Sequence, residues 1–321
     1  MKPSRFPAAT GAAAAAATIP VVVMVAVSAV SALALAGCST LKRAAVNQVG
    51  NALAQGGSVY ASDNDPELVW QAVPFALKTI EGLLADSPRN KNLLLAAASG
   101  FTQYAYGALA QEADFAEGRD LARATELRNR ARNLYLRALD YGLRGLEVDL
   151  PELRSRLRAD PAHALEQAKK AHVPLLYWTG AAWGGAISIS KDNPELTADQ
   201  TRAEALMRRA LALDESFGAG AIHEFFIAYE GGRATVGGSL DEAHRHFARA
   251  LELGGGNRAS PLVGFAETVS VARQDKAEFK KLLDQALAID PDKILDARLA
   301  NLLAQRRARW LLGRMDELFV E

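Results

Sequence analysis

From Asp65 onward, apolar residues recur at steps of three and four, in long blocks broken by proline, glycine, aspartate and asparagine. That spacing places the apolar side chains on one stripe of an α-helix. The breaks read as helix ends. Asp65-Pro66-Glu67 is a start signal, because aspartate can cap, proline suits the first turn and glutamate favours the helix dipole. Ser87-Pro88 closes that helix; Asp160-Pro161 and Asn193-Pro194 open others; Asp290-Pro291 ends one helix and can open the next. Ala186-Ile-Ser-Ile-Ser190 alternates in the manner of a strand, but it is short and continues a helical pattern. The pattern predicts an all-helical chain.

The helical blocks also resemble one another. Arg137-Ala-Leu-Asp140, Arg209-Ala-Leu-Ala-Leu-Asp214, Arg249-Ala-Leu-Glu-Leu-Gly254 and Gln285-Ala-Leu-Ala-Ile-Asp290 each close a helix. A bulky residue precedes the alanine by three (Tyr135, Met207, Phe247, Leu283), and Ala131, Ala203, Ala243 and Phe279 precede it by seven. A weaker copy runs Ala76, Ile80, Leu83, Pro88. These steps share one helical face; the small residues admit a neighbouring helix and the bulky one fills the groove. This is the second-helix half of a tetratricopeptide pattern, with a degenerate first half. Successive copies stand 55, 72, 40 and 36 residues apart, where regular arrays repeat at roughly 34. The expectation is an irregular TPR-like repeat of stacked helical hairpins, with an inserted helical segment between Gly142 and Gln200.

The first 37 residues have another character. Lys2 and Arg5 give a basic start, Ala12 to Ala17 form an alanine tract, and Val21 to Val30 form an apolar run. Small residues then lead to Leu35-Ala36-Gly37-Cys38. Basic, apolar, then small is the layout of a secretory signal. A leucine and two small residues before cysteine match the bacterial lipobox: the peptidase needs small side chains at the cut, and the thiol must reach the membrane surface to accept lipid. Ile19 to Ala36 could instead remain as an uncleaved anchor, but Cys38 is the only cysteine of the chain and stands at the lipobox position. The predicted organisation is a signal peptide over 1–37, a lipidated tether over 38–63 and a helical domain over 64–321. Ser39, with no aspartate beside the cysteine, matches outer-membrane sorting in double-membrane bacteria. The expected location is a membrane lipoprotein facing the periplasm.

Composition narrows the function. The chain has 37 basic and 37 acidic residues; removing 1–37 leaves a net charge of −2, which is no footprint for nucleic acid. One cysteine allows neither an internal disulfide framework nor a multi-cysteine metal site. His223-Glu224 begins like a zinc-protease motif, but Ile227 stands where the second histidine belongs. His244 and His246 lie two apart and point to different sides of a helix. Gly231 to Gly238 is glycine-rich without the lysine of a phosphate loop and reads as a turn. No metal, cofactor or catalytic residue is expected, and the chain reads as a non-enzyme.

Two stretches are candidates for binding. Tyr177, Trp178 and Trp183 stand among small residues. On a helix the two tryptophans point about 140° apart, so one can pack in the core while another lines a cavity. Arg306, Arg307 and Arg309 form a basic cluster on the last long helix, read either as a solvated face or as a partner-binding edge.

Several stretches resemble the T-component of tripartite ATP-independent periplasmic (TRAP) transporters, over roughly residues 87 to 312. They are Ser87-Pro-Arg-Asn-Lys-Asn-Leu-Leu-Leu95 with Tyr104; Arg132-Asn-Leu-Tyr-Leu-Arg-Ala138 with Tyr141-Gly-Leu-Arg-Gly-Leu-Glu147; Val173-Pro-Leu-Leu-Tyr-Trp178 with Ala182-Trp183-Gly184; Gly237 to Phe247; and Arg298-Leu-Ala-Asn-Leu-Leu-Ala-Gln-Arg-Arg-Ala308. The resemblance implies a non-catalytic scaffold that binds the periplasmic substrate-binding protein and helps deliver or receive a ligand. It further implies a homotrimer with a channel through each subunit. The alternative is an outer-membrane lipoprotein scaffold for envelope assembly, unrelated to transport.

The lipobox reading has a direct consequence. Cys38→Ser should abolish incorporation of radiolabelled palmitate and leave the chain uncleaved or soluble. Normal processing and membrane association of that variant would refute it.

Overall fold

The alanines that recur in the sequence mark where helices meet. In the computed structural model, which describes residues 57–320, Ala131, Ala138, Ala203, Ala210, Ala243, Ala250 and Ala286 are all enclosed by neighbouring helices. Tyr135, Met207 and Leu283, three residues before an alanine, are buried beside them, and Phe247 is partly so.

The helices run α1 (Gly57–Ala61), α2 (Pro66–Asp86), α3 (91–117), α4 (Leu121–Glu147), α5 (Leu153–Ala159), α6 (Pro161–Ala164), α7 (Val173–Ser188) and α8 (Pro194–Thr197). They continue as α9 (Gln200–Leu213), α10 (Ala221–Gly231), α11 (Leu240–Leu253), α12 (260–270), α13 (Lys276–Ala288), α14 (Arg298–Leu312) and α15 (Met315–Leu318). No strand occurs among the described residues. Polar side chains set the starts. Asp65 Oδ1 accepts from the amides of Glu67 and Leu68 at 3.0 Å each, and Asp160 and Asn193 cap α6 and α8. Asn90, Asp120, Ser239 and Asp275 do the same for α3, α4, α11 and α13. Each such cap contributes about 1 kcal/mol. Asp290-Pro291 ends α13 and opens a 3₁₀ turn, as its sequence predicts.

Four hairpins follow in order: α3 with α4, α7 with α9, α10 with α11, and α12 with α13. This corrects one expectation. The stretch between Gly142 and Gln200 is not wholly an insertion, because α7 is the regular partner of α9; the additions are α5, α6 and α8. The reason lies in the surroundings of α7. It is hemmed in by α3, α4 and α9, so it is apolar on most sides and lacks the one-sided stripe that would reveal it. Glycines make this enclosure possible. A methyl at Gly180 would press on Met207 of α9, one at Gly184 on Phe225 of α10, and one at Gly185 on Tyr135 of α4. From the other side, Gly142 of α4 abuts Thr179, whose Cα would lie 3.2 Å from an added Cβ.

The two largest apolar cores run from Leu77 to Phe226 and from Ile227 to Phe319, so adjacent residues of α10 serve different cores. The stack then closes on itself. Leu299 and Leu303 of α14 pack on Val69 of α2, and Arg298 donates to the Ser62 carbonyl at 3.0 Å. Asn301 clamps the loop before α12 by accepting from Ala259 N at 2.9 Å and donating to Asn257 O at 3.0 Å. Gln305 donates to the Ala286 and Ile289 carbonyls and seals the end of α13. By length and composition α2 could cross a membrane, yet Val69, Leu77, Ile80 and Leu84 are buried within the fold, while Leu68 and Phe75 face out.

Folding also joins two histidines that the sequence holds apart. His223 of α10 and His246 of α11 meet at 2.8 Å between their Nδ1 atoms, both buried. His246 also stacks on Phe226. One ring must donate and the other accept, so the neutral forms are favoured. Burial lowers both pKa values, that of His246 to about 4, with His223 adding to the effect. The unfolded chain, titrating near 6.5, therefore binds protons first as pH falls. The contribution of His246 is intact above pH 6.5 and lost as pH drops towards 4, on the order of 3 kcal/mol in all. Urea denaturation across this range should show His246→Gln flattening the acid limb relative to the parent chain; parallel curves would refute the assignment.

Candidate functional site

Two of the first hairpin helices depart from regular α geometry. Helix α3 contains a π-helical turn at Ala105–Ala110, and α12 contains one at Ala266–Ser270. A π turn inserts one residue and re-aims the side chains around it. In α12 the re-aimed turn carries Glu267. In α3 it carries Tyr106, with Gln111 just beyond. Arg307 of α14 meets the α12 turn at Glu267 and meets α3 beyond its turn, at Asp114.

Arg307 ties three helices together. Its Nη1 donates to Asp114 Oδ2 of α3 at 2.7 Å, while Nε (3.2 Å) and Nη2 donate to Glu267 of α12. Its guanidinium also lies 4.4 Å from the Trp310 ring centre. The side chain is only 12% exposed. Burial opposes its charge, but Glu267 and Asp114 outweigh that and hold its pKa above the ordinary value. Asp114 is shared with Arg128, which also pairs with Glu117 at 2.8 Å. Beside this cluster, Arg306 pairs with Glu112 and lies over Phe115, and Phe115 packs on Trp310 at 5.4 Å.

Tyr106 stands near this network. It is 52% exposed, so solvent reaches it. Yet burial raises its pKa, and the groups acting on it are Arg307 of α14, Glu267 of α12, Gln111 of α3 and Glu224 of α10. Glu224, ion-paired with Arg258 at 3.2 Å, also acts on Tyr177 of α7, whose pKa burial raises. Gln111 is 2% exposed, and its carboxamide stands by the Tyr106 hydroxyl, which it acts on.

The sequence candidates fall in different places. Tyr177 is half-buried, packed edge-on to Trp178 at 4.9 Å and against Phe217 at 5.2 Å. Trp178 is half-buried too. Trp183 sits in the first core, with its Nε1 unpartnered. The three arginines do not form one surface: Arg307 is enclosed, Arg306 is held by Glu112, and Arg309 is exposed. Cys38 lies outside the described residues. Tyr106, Gln111, Asp114 and Glu267 escaped the sequence reading, because a π turn has no compositional signature and their partners lie far away in the chain. The glycine-rich stretch after α10 is a turn, closed by Glu230, which accepts from the Ser239 amide at 3.0 Å.

Arg307→Ala should destabilise the fold by about 2 kcal/mol, since it removes charge-assisted hydrogen bonds to Glu267 and Asp114, although Asp114 keeps Arg128. Urea unfolding measures this, and a loss below about 1 kcal/mol, the scale of an exposed pair, would refute the clasp.

A family model described as TRAP transporter T-component matches residues 62–319 of the chain. An uncharacterized protein of Treponema pallidum (strain Nichols) is 27% identical over 310 residues, which make up 91% of this chain and 96% of that relative.

Proposed function

We infer the role of this chain from one premise: it belongs to the TRAP transporter T-component family. Membership associates it with a TRAP transporter system. The match runs from residue 62 to residue 319, which spans α2 to α15, and that extent is the observation that carries the reading.

The finer role follows from the residues. The chain is a non-catalytic, TPR-like scaffold, exported and held by lipid on Cys38 to the periplasm-facing side of a membrane, the outer one in a double-membrane bacterium. It binds the substrate-binding protein of the transporter and exchanges a ligand with it. Stacked hairpins with a repeated small-residue face support the scaffold reading, since such arrays present extended surfaces to protein partners. Ligand exchange rests on the family membership. Arg309, exposed on α14, belongs to the partner surface; Arg307 belongs to the interior.

The test is capture of the substrate-binding protein encoded beside this chain's gene by the purified mature protein. Stoichiometric retention is the expected result, weakened by Arg309→Glu. Failure to retain any neighbouring binding protein would remove the transport role.

A further inference from the structure

Exposed apolar side chains gather where the chain enters the fold. Among the described residues ten large apolar side chains are exposed, and five of them stand at this end: Val59 on α1, Leu68 and Phe75 on α2, and Ile294 and Leu295 just before α14. Helix α1 packs against α14 and against the turn that holds Leu295. Half of the exposed set on so little of the chain is a concentration rather than a scatter. Such concentrations mark contact with a partner or a lipid surface.

The outer face of α2 is the clearest part of it. Leu68, Ala72, Phe75, Thr79 and Gly82 follow at steps of three and four, so they share one face. Phe75 is 80% exposed and Leu68 55%. None of these positions is charged, and the exposed Gln71 beside them is neutral. Thr79 satisfies its hydroxyl within the helix, donating to the Phe75 carbonyl at 3.0 Å. The exposed positions of α4 and α13 differ: they carry Arg123, Glu126 and Arg130, and Lys280 and Asp284. A helix face that water covers is ordinarily charged in this way.

The place of α2 in the chain identifies what covers its face. Residues 39–56, eighteen in all, separate Cys38 from the start of α1. Fully extended, they reach at most about 65 Å. Lipid on Cys38 therefore keeps α2, the first long helix after it, close to a bilayer. Two large side chains would hold a freely diffusing protein to lipid only weakly, but a tether makes the contact intramolecular and raises its effective concentration. Charge does not assist. Residues 57–67 and 290–298 hold six acids against Lys293 and Arg298, so the surface that fits is apolar lipid beneath neutral headgroups.

We propose that the outer face of α2, with Leu68 and Phe75 at its centre, rests in the interfacial layer of a zwitterionic membrane and sets the orientation of the helical body upon it. This rests on the lipid anchor of the proposed function. The anchor holds the chain to the membrane, and the face decides which side of the body meets it.

The test uses the full chain with its lipid, in phosphatidylcholine vesicles with and without dibrominated acyl chains, whose bromine quenches tryptophan inside the bilayer. Phe75→Trp places a reporter on the face, Gln285→Trp places one at an exposed position of α13, and the parent emission is subtracted from each. The added signal at position 75 should fall by about half in brominated lipid, and the signal at position 285 should not change. Adding Leu68→Glu, at an exposed position that the fold tolerates, should abolish the quenching at 75 while the chain stays on the vesicles. Absence of quenching at 75, equal quenching at both positions, or quenching indifferent to Leu68→Glu would each overturn the proposal. A reporter at 75 shielded from aqueous iodide yet unquenched by bromine would also overturn it, since a second copy of the chain would then cover the face. Palmitate incorporation tests the anchor separately. If Cys38 carries no lipid, its free thiol is coupled to a maleimide lipid and the same quenching is read, so anchor and face can each fail alone.

Discussion

The closure of the helical stack depends on one guanidinium. Arg307 reaches from α14 to Asp114 on α3 and Glu267 on α12, and the contact to Asp114 joins residues 193 positions apart. An array of hairpins is built from neighbour contacts, so nothing in its repeat logic brings the last helix back to the first. Here α14 does so with a line of polar side chains. Asn301 holds the loop before α12, Gln305 seals α13, and Arg298 reaches Ser62. Leu299 and Leu303 supply the apolar contact to α2 that makes the joint cohesive. An enclosed cation between two carboxylates is stable only while all three are held in place, and that couples the joint to the packing around it.

The two π turns belong to the same economy of structure. Each interrupts a first hairpin helix where it faces α14, and each departs from regular geometry to direct a side chain inward. Glu267 uses its turn to grip Arg307. Gln111 stands just beyond its turn, buried beside Tyr106. The glycines of α7 make room on the far side: Gly180, Gly184 and Gly185 let α9, α10 and α4 approach closely, which brings Tyr177 near Glu224.

Much of this architecture was legible in the residues. The capping aspartates and asparagines marked helix starts, and the alanine spacing identified the second helix of each hairpin. The first helices were less legible, and α7 was absorbed into an apparent insertion because enclosure had removed its one-sided pattern. Among the candidate side chains, Tyr177 packs against Trp178 and Phe217, Trp183 serves the core, and the three arginines divide among clasp, half-exposed pair and open surface. Sequence spacing could not divide them, since neighbours on one helix turn meet different helices in the fold.

The amino-acid sequence by itself determined the all-helical class and the helix starts, because helical period and caps are local patterns. Tertiary structure alone decided that the stack closes, that His223 meets His246, and that Arg307 joins Asp114 to Glu267. Each of those facts depends on residues far apart in the chain, brought together by side-chain packing that no local period encodes.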